Sequence, residues 1–172
     1  MTPSVEKVLS VMKDAFGDGI LNIAVRPVEG GVVKKVSSSI VFLEIKRETL
    51  YPLVSHLNEL YPLHVSCPMA NRDRDGQLEL VYAFTLFGGR GNYAEIPLII
   101  KVMLPLDDLS LPSLTPIIPG ITMMERETLE MVGVDFVGLR DKRRLFTPDA
   151  LEENMNPLRG KPGDGQPPAI ID

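Results

Sequence analysis

The sequence is poor in the residue types that carry most protein chemistry. Its 172 residues include one cysteine, Cys67, and two histidines, His56 and His64. A single cysteine excludes an internal disulfide, a four-cysteine zinc site and an iron–sulfur cluster ligated wholly by this chain. The histidines are eight apart on different elements, with no cysteine or carboxylate at ligand spacing, so a zinc site is not expected. Tryptophan is absent, which leaves the core to aliphatic side chains with a few Phe and Tyr. Positive charge is in the minority: 18 Lys and Arg against 23 Asp and Glu, a net charge of −5. A protein that reads a phosphate backbone needs the opposite field. No stretch reaches the length of a continuous apolar span, and the first seventeen residues already carry Glu6, Lys7, Lys13 and Asp14. Neither a membrane helix nor a secretory leader is therefore expected.

What is present describes a folded domain. Hydrophobic residues make up 44% and charged residues 24%, too apolar for a disordered chain. Val5, Val8, Leu9, Met12 and Phe16 recur at helical spacing, closed by Gly17 and Gly19. Leu21, Ile23 and Val25 alternate with polar or small residues as a half-buried strand does, up to Glu29-Gly30-Gly31. A second strand covers Val33–Ile45, with a kink expected at Ser37–Ser39. Thr49–Leu60 places Leu53, Val54, Leu57 and Leu60 on one helical side, with His56 on its border. His64–Met69 alternates again, putting Cys67 on a buried face, and Asn71–Gly76 reads as a loop. Leu78–Phe87 and Tyr93–Leu104 form two long strands joined by Gly88-Gly89-Arg90-Gly91-Asn92, an antiparallel hairpin in pattern. Pro97 lacks an N–H, which places it at an edge or bulge.

The fold class implied is α/β (α+β): a mixed or antiparallel sheet with helices on one face, then a short helix and a long extended C-terminal tail. The division expected is a core domain over 1–104, a proline-rich connector and interface helix over 105–136, and a partner-binding tail over 137–172. Seven of the twelve residues in Pro157–Pro168 are proline or glycine, too little apolar surface to fold alone. Yet Leu139, Leu145, Phe146, Leu151, Met155, Leu158 and Ile170-Ile171 space apolar anchors along the tail. A partner surface that orders it explains them better than a free linker does.

The densest charges lie on the short helix and the segment after it. Thr122-Met123-Met124-Glu125 has the form of a capping box, and Gly133 stands where a C-terminal glycine belongs. Arg126 and Glu130 are four apart and Glu127 and Glu130 three apart, so they can share a face. Three readings stand side by side: a solvated helix with local ion pairs, an interface face pairing with another chain, and a carboxylate acid–base pair. Helix neighbours on one surface lack the cleft the last requires. Arg140-Asp141-Lys142-Arg143-Arg144 sums to +3 inside an acidic protein and suits partner carboxylates, a phosphate or an anionic lipid surface. Gly88–Gly91 lacks the lysine and hydroxyl residue of a phosphate loop.

Pro112-Ser113-Leu114-Thr115, Pro119-Gly120, the run Glu125–Gly138, Asp141, Arg143-Arg144-Leu145-Phe146 and Pro157-Leu158-Arg159 together resemble the 30-kDa subunit of respiratory complex I, the NADH-quinone oxidoreductase. The resemblance extends to the related small subunit of membrane-bound, energy-converting [NiFe] hydrogenases and sulfur-reducing complexes, and the short chain looks more like that branch. Outside about Pro112–Arg159 it rests on the order of elements and the long hairpin. It implies an α/β domain with no cofactor or metal and no catalytic residue of its own. Such a subunit sits in the peripheral arm on the cytoplasmic side of the membrane, attached through other subunits. There it lies beside a [NiFe]-hydrogenase-like large subunit and an iron–sulfur small subunit, which hold the clusters and any NiFe centre. Carried over, the partner-interface residues are Glu125, Arg126, Glu127, Glu130, Asp141, Arg143, Arg144 and Arg159, with Gly133 and Gly138 shaping the loop. The sequence departs from the family pattern where Glu130 replaces an aspartate, where Leu139-Arg140 replaces a histidine–proline before Asp141, and where Gly160 intervenes before Lys161. Two other readings remain open on the residues: a stand-alone metal-dependent hydrolase using Glu125, Glu127, Glu130 and His64, and an anionic-surface binding module using Arg140–Arg144.

Overall fold

The computed structural model describes residues 4–30, 36–74, 76–87, 95–148 and 156–159. Helix α1, Val5–Phe16, starts where the Ser4 hydroxyl accepts the Lys7 N–H, and it buries Val8 and Met12. Strands β1 (Ile20–Gly30) and β2 (Val36–Ile45) pair antiparallel. Helix α2, Leu50–Leu60, follows and buries Leu50, Leu53, Val54 and Leu57, one stripe at helical spacing. It carries the chain across one sheet face to the far edge. From there β3 (Leu63–Arg74), β4 (Gln77–Leu86) and β5 (Ile96–Pro105) step back inward as antiparallel hairpins. The last step sets β5 beside β2 in parallel, giving a five-stranded mixed sheet in the order β1-β2-β5-β4-β3.

One face of that sheet is apolar. Leu78, Leu80, Tyr82, Phe84 and Leu86 of β4 and Ile96, Leu98, Ile100, Val102 and Leu104 of β5 are all buried on it, as strict alternation demands. The opposite face carries Lys101 between Glu44 (3.0 Å) and Glu79 (3.7 Å), an ion-pair ladder across β2, β5 and β4. The expected helix–sheet layering holds, and the hairpin of β4 and β5 holds with it.

Several details differ from the sequence reading. Ser37–Ser39 do not kink: they continue β2 opposite Glu29, Val28 and Pro27. Asn71–Arg74 are strand rather than loop, paired with Leu80 through Gln77. In both places an opposing strand satisfies the backbone, and that outweighs weak local strand preference. Pro97 lies in the central strand of the sheet, not at an edge. It is tolerated because the parallel ladder to β2 begins one residue later, at Leu98. The Gly88–Asn92 turn and the Cys67 side chain lie outside the described residues.

The largest difference concerns where the core ends. A short strand β6, Ser110–Pro112, pairs in parallel with β7, Asp135–Val137. Between them runs helix α3, Thr122–Val132. Leu111, Leu114, Ile121, Val132, Val134, Phe136 and Leu139 are buried in the same hydrophobic cluster as the sheet. The core is therefore not finished at Leu104, and 105–136 is no mere connector. Prolines 105, 112, 116 and 119 mask its order in the sequence, because short turns have no periodicity to read.

Candidate docking surface on the third helix

The chain enters α3 through a 3₁₀ turn, Pro119–Ile121, whose bonds already satisfy the first helical N–H groups. No side-chain cap is needed, and the expected capping box does not form. The Thr122 hydroxyl instead donates to the Pro119 carbonyl at 2.7 Å. Ile121, Glu125, Thr128 and Val132 are buried together along one stripe, so Glu125 points into the protein. At the other end Gly133 adopts φ 84° and donates its N–H to the Leu129 carbonyl. That left-handed cap matches the sequence reading. Gly138, at φ 93°, turns the chain back toward the helix.

Glu125 is fully buried, with no cation beside it among the described residues. Its carboxylate accepts the Ser113 hydroxyl at 2.6 Å and the Leu114 N–H at 2.7 Å. Burial pushes its pKa above the usual carboxylate value of 4.5, and these two bonds only partly oppose the shift. Beneath it lies Tyr82, also buried, whose Oη has no hydrogen-bond partner among the described residues. Burial first, and the negative field of Glu125 second, push the phenol well above its ordinary pKa. A buried hydroxyl without a partner is a cost. Tyr82→Phe should therefore raise stability by about 1 kcal/mol. Urea denaturation of the variant checks this, and a loss of stability instead would mean that the hydroxyl has a partner.

Arg126 and Glu130 do not pair with each other. Arg126 donates from Nη2 (2.7 Å) and Nε (3.1 Å) to the Arg143 carbonyl and more weakly to that of Arg144. Its Nη1 lies 3.2 Å from the Asp141 carboxylate. Glu130 accepts the backbone N–H groups of Leu145, Phe146 and Thr147 and the Thr147 hydroxyl. Burial raises its pKa, but the Thr147 hydroxyl and the three N–H groups outweigh that and bring it down to about 2. A helix-surface ion pair contributes about 0.3–0.5 kcal/mol. Three consecutive N–H groups on one carboxylate contribute more, which is why the i, i+4 pairing is given up.

The remaining expected interface residues divide. Asp141 lies between Arg126 and Arg143, whose Nε and Nη2 grip it at 2.9 and 2.8 Å. These bonds hold its carboxyl far below the usual range. Arg143 is otherwise 83% exposed. Arg144 donates to the Pro148 carbonyl at 2.9 Å. Lys142 pairs with Asp135. Glu127 is half-buried with no ion-pair partner among the described residues. Arg159 is not in this cluster: it ends a turn from Asn156, and that turn is fastened to the helix end by the Leu158 N–H on the Met131 carbonyl at 2.9 Å.

Two expectations change. Arg126 and Glu130, expected to face a partner, both bind this chain's own loop. Nor do all residues beyond Val137 depend on a neighbour for order, because 138–148 and 156–159 are fastened to α3. The anchors Leu151, Met155 and Ile170-Ile171 lie outside the described residues. The carboxylates expected of a small hydrolase do not converge either: Glu125 is inside, Glu130 is filled by four donors, and His64 stands on β3. The cationic run 140–144 is partly neutralised in cis, by Asp135 on Lys142 and Asp141 on Arg143, while Arg140 is exposed with no partner among the described residues.

Sequence reasoning did not connect Ser113, which donates to Glu125, or Tyr82, which feels its charge, with this site. The Ile121–Glu125–Thr128–Val132 spacing is a usable sign that Glu125 faces inward. The motif Pro112-Ser113-Leu114-Thr115 marks Ser113, but no local signal ties it or Tyr82 to Glu125.

Comparison with known proteins shows the family and the fold. The family model described as respiratory-chain NADH dehydrogenase, 30 Kd subunit, matches residues 43–164. The match thus includes most of the sheet as well as α3 and its loops. Membrane-bound hydrogenase subunit beta of Pyrococcus furiosus is 39% identical over 123 residues, which cover 69% of this chain and 68% of that protein. Hydrogenase-4 component G of Escherichia coli is 27% identical over 156 residues, 90% of this chain but only 26% of that protein. Among solved structures, a chain of the membrane-bound sulfane sulfur reductase, an archaeal respiratory membrane complex, superimposes with a TM-score of 0.57 at 16% identity. The superposition covers 87% of this chain and 78% of that one, and it speaks for the fold. On the strength of the family match and the hydrogenase relative, this chain belongs to the respiratory-chain NADH dehydrogenase 30-kDa subunit family.

Proposed function

We propose that this chain is a subunit of a membrane-bound hydrogenase or complex I-like respiratory assembly, with no reaction centre of its own. Its task is to dock the [NiFe]-hydrogenase-like large subunit and the iron–sulfur small subunit, fixing the geometry through which electrons pass between their cofactors. Any coupling to ion translocation is then indirect. One observation carries the reading: three of the four charged residues of α3, Glu125, Arg126 and Glu130, are spent on holding 113–114, 141–144 and 145–147 against the helix. A motif used this way builds a rigid surface rather than a site. The relatives named as a membrane-bound hydrogenase subunit and a hydrogenase-4 component support the class of assembly. No described helix is long and apolar enough to cross a membrane, which suits peripheral attachment through other subunits. We assign the cytoplasmic face.

The test is purification of the tagged chain with its assembly and, separately, alone. The assembly should contain the large and iron–sulfur subunits with iron, and with nickel if it is a hydrogenase. The isolated chain should bind neither metal in stoichiometric amount and should turn over no substrate. Stoichiometric metal in the isolated chain, or hydrolysis by it, would replace this reading with the enzyme one.

A further inference from the structure

The loops fastened to α3 present two apolar side chains to solvent. Phe146 is 64% exposed and Leu158 is 62% exposed. Their backbones are tied to consecutive positions of the helix: the Phe146 N–H to the Glu130 carboxylate and the Leu158 N–H to the Met131 carbonyl. A solvent-facing phenylalanine on a loop normally has freedom to fold back onto the protein. Here three successive N–H groups, of Leu145, Phe146 and Thr147, are gathered on one carboxylate, and Arg126 grips the two residues before them. The ring is held out by a backbone that cannot follow it inward. Preorganised aromatic anchors are what protein–protein hot spots are made of, since little ordering entropy remains to be lost on binding.

The charges around it indicate what kind of surface fits. Lys142 is paired with Asp135, Arg143 with Asp141, and Arg126 with Asp141 and two carbonyls. A membrane surface draws proteins by unpaired positive charge, and of the four cations in 140–144 only Arg140 has no partner among the described residues. An apolar socket with a polar rim suits it better, because the paired charges need not be stripped of their partners on contact.

We infer that Phe146 and Leu158 are the apolar anchors of this chain, seating in a concave apolar socket on a neighbouring protein subunit, with Glu130 as the positioning residue for Phe146. The inference rests on the subunit reading above and adds which side chains bind and to what chemistry.

The experiment titrates the full-length chain against its co-expressed, purified large and iron–sulfur subunits, and against equimolar phosphatidylcholine–phosphatidylglycerol vesicles. Phe146→Ala should weaken binding to the subunits about 30-fold, the scale of a hot-spot side chain. Leu158→Ala should weaken it by about 10-fold or more. Both variants should melt within a degree or two of the parent, because both side chains face solvent. Glu130→Gln, which keeps one acceptor oxygen, should give a smaller loss than Glu130→Ala, while a Phe146→Leu variant should recover part of the affinity. Parent-like binding of both alanine variants would overturn the anchor assignment and leave the subunit reading standing. Failure of the parent chain to bind the two subunits would overturn both, and salt-sensitive binding to the vesicles in its place would identify a lipid surface as the ligand.

Discussion

Glu125→Ala should lower the stability of the chain by about 3 kcal/mol. The substitution leaves the buried Leu114 N–H without its acceptor, a loss of about 1–3 kcal/mol, and turns the Ser113 hydroxyl from the carboxylate to Thr115 Oγ1, 2.7 Å away. It also opens a space beside Tyr82. Against these stands the relief of no longer burying a carboxylate without a cation, which keeps the total below the simple sum. Glu125→Gln separates the two contributions. It keeps an acceptor and loses the charge, so its stability at neutral pH should lie within about 1 kcal/mol of the parent.

The pH profile sharpens the comparison. The pKa of Glu125 is raised on folding, so the folded state binds its proton more tightly than the unfolded chain does. Its contribution is fully present below the unfolded value near 4.5 and is lost as pH rises through the raised folded value. Glu130 acts in the opposite sense: its contribution is present above the unfolded value and disappears as pH falls toward its folded value of about 2. Denaturation curves of the parent should therefore show stability falling with rising pH above about 4.5, a decline that Glu125→Gln abolishes while the acid limb remains. An unchanged decline in the variant would mean that Glu125 is not the group responsible.

Arg126→Ala is the second substitution with a large expected effect, about 2–3 kcal/mol. Only 11% of the side chain is exposed, and it makes an ion pair and bonds to two carbonyls. Its removal unfastens 141–144, while Asp141 retains Arg143. The damage should be local: hydrogen exchange should accelerate across 141–147 and stay slow in β4 and β5. Arg126→Lys should recover little, since an ammonium cannot span the Arg143 carbonyl and the Asp141 carboxylate with a planar fork. If exchange rises equally throughout the sheet, the arginine supports the whole fold and not the loop alone.

These two substitutions mark the line between what is legible in the sequence and what is not. Both residues stand out there as part of a charged helix, and spacing alone places the helix and its glycine stop at Gly133. Their directions are another matter. Glu125 and Arg126 are neighbours in the chain, yet helical rotation turns one into the core and the other toward the 141–144 loop. The first direction is recoverable from the stripe of Ile121, Thr128 and Val132. The second is not, because the acceptors are carbonyls seventeen and eighteen residues away, and every residue has a carbonyl. Likewise Pro97 reads as an edge signal, when only the register of β2 against β5 decides whether its missing N–H matters.

The order of elements, the one-sided sheet, the helix positions and the family motif were determined by the sequence itself. Those properties come from the local spacing of apolar and turn residues, which a linear reading preserves. The tertiary structure decided that residues from Leu111 to Leu139 join the same core, and that the charged motif closes on its own loops. Both depend on which distant backbone groups lack a partner, and that is fixed only when the chain has packed.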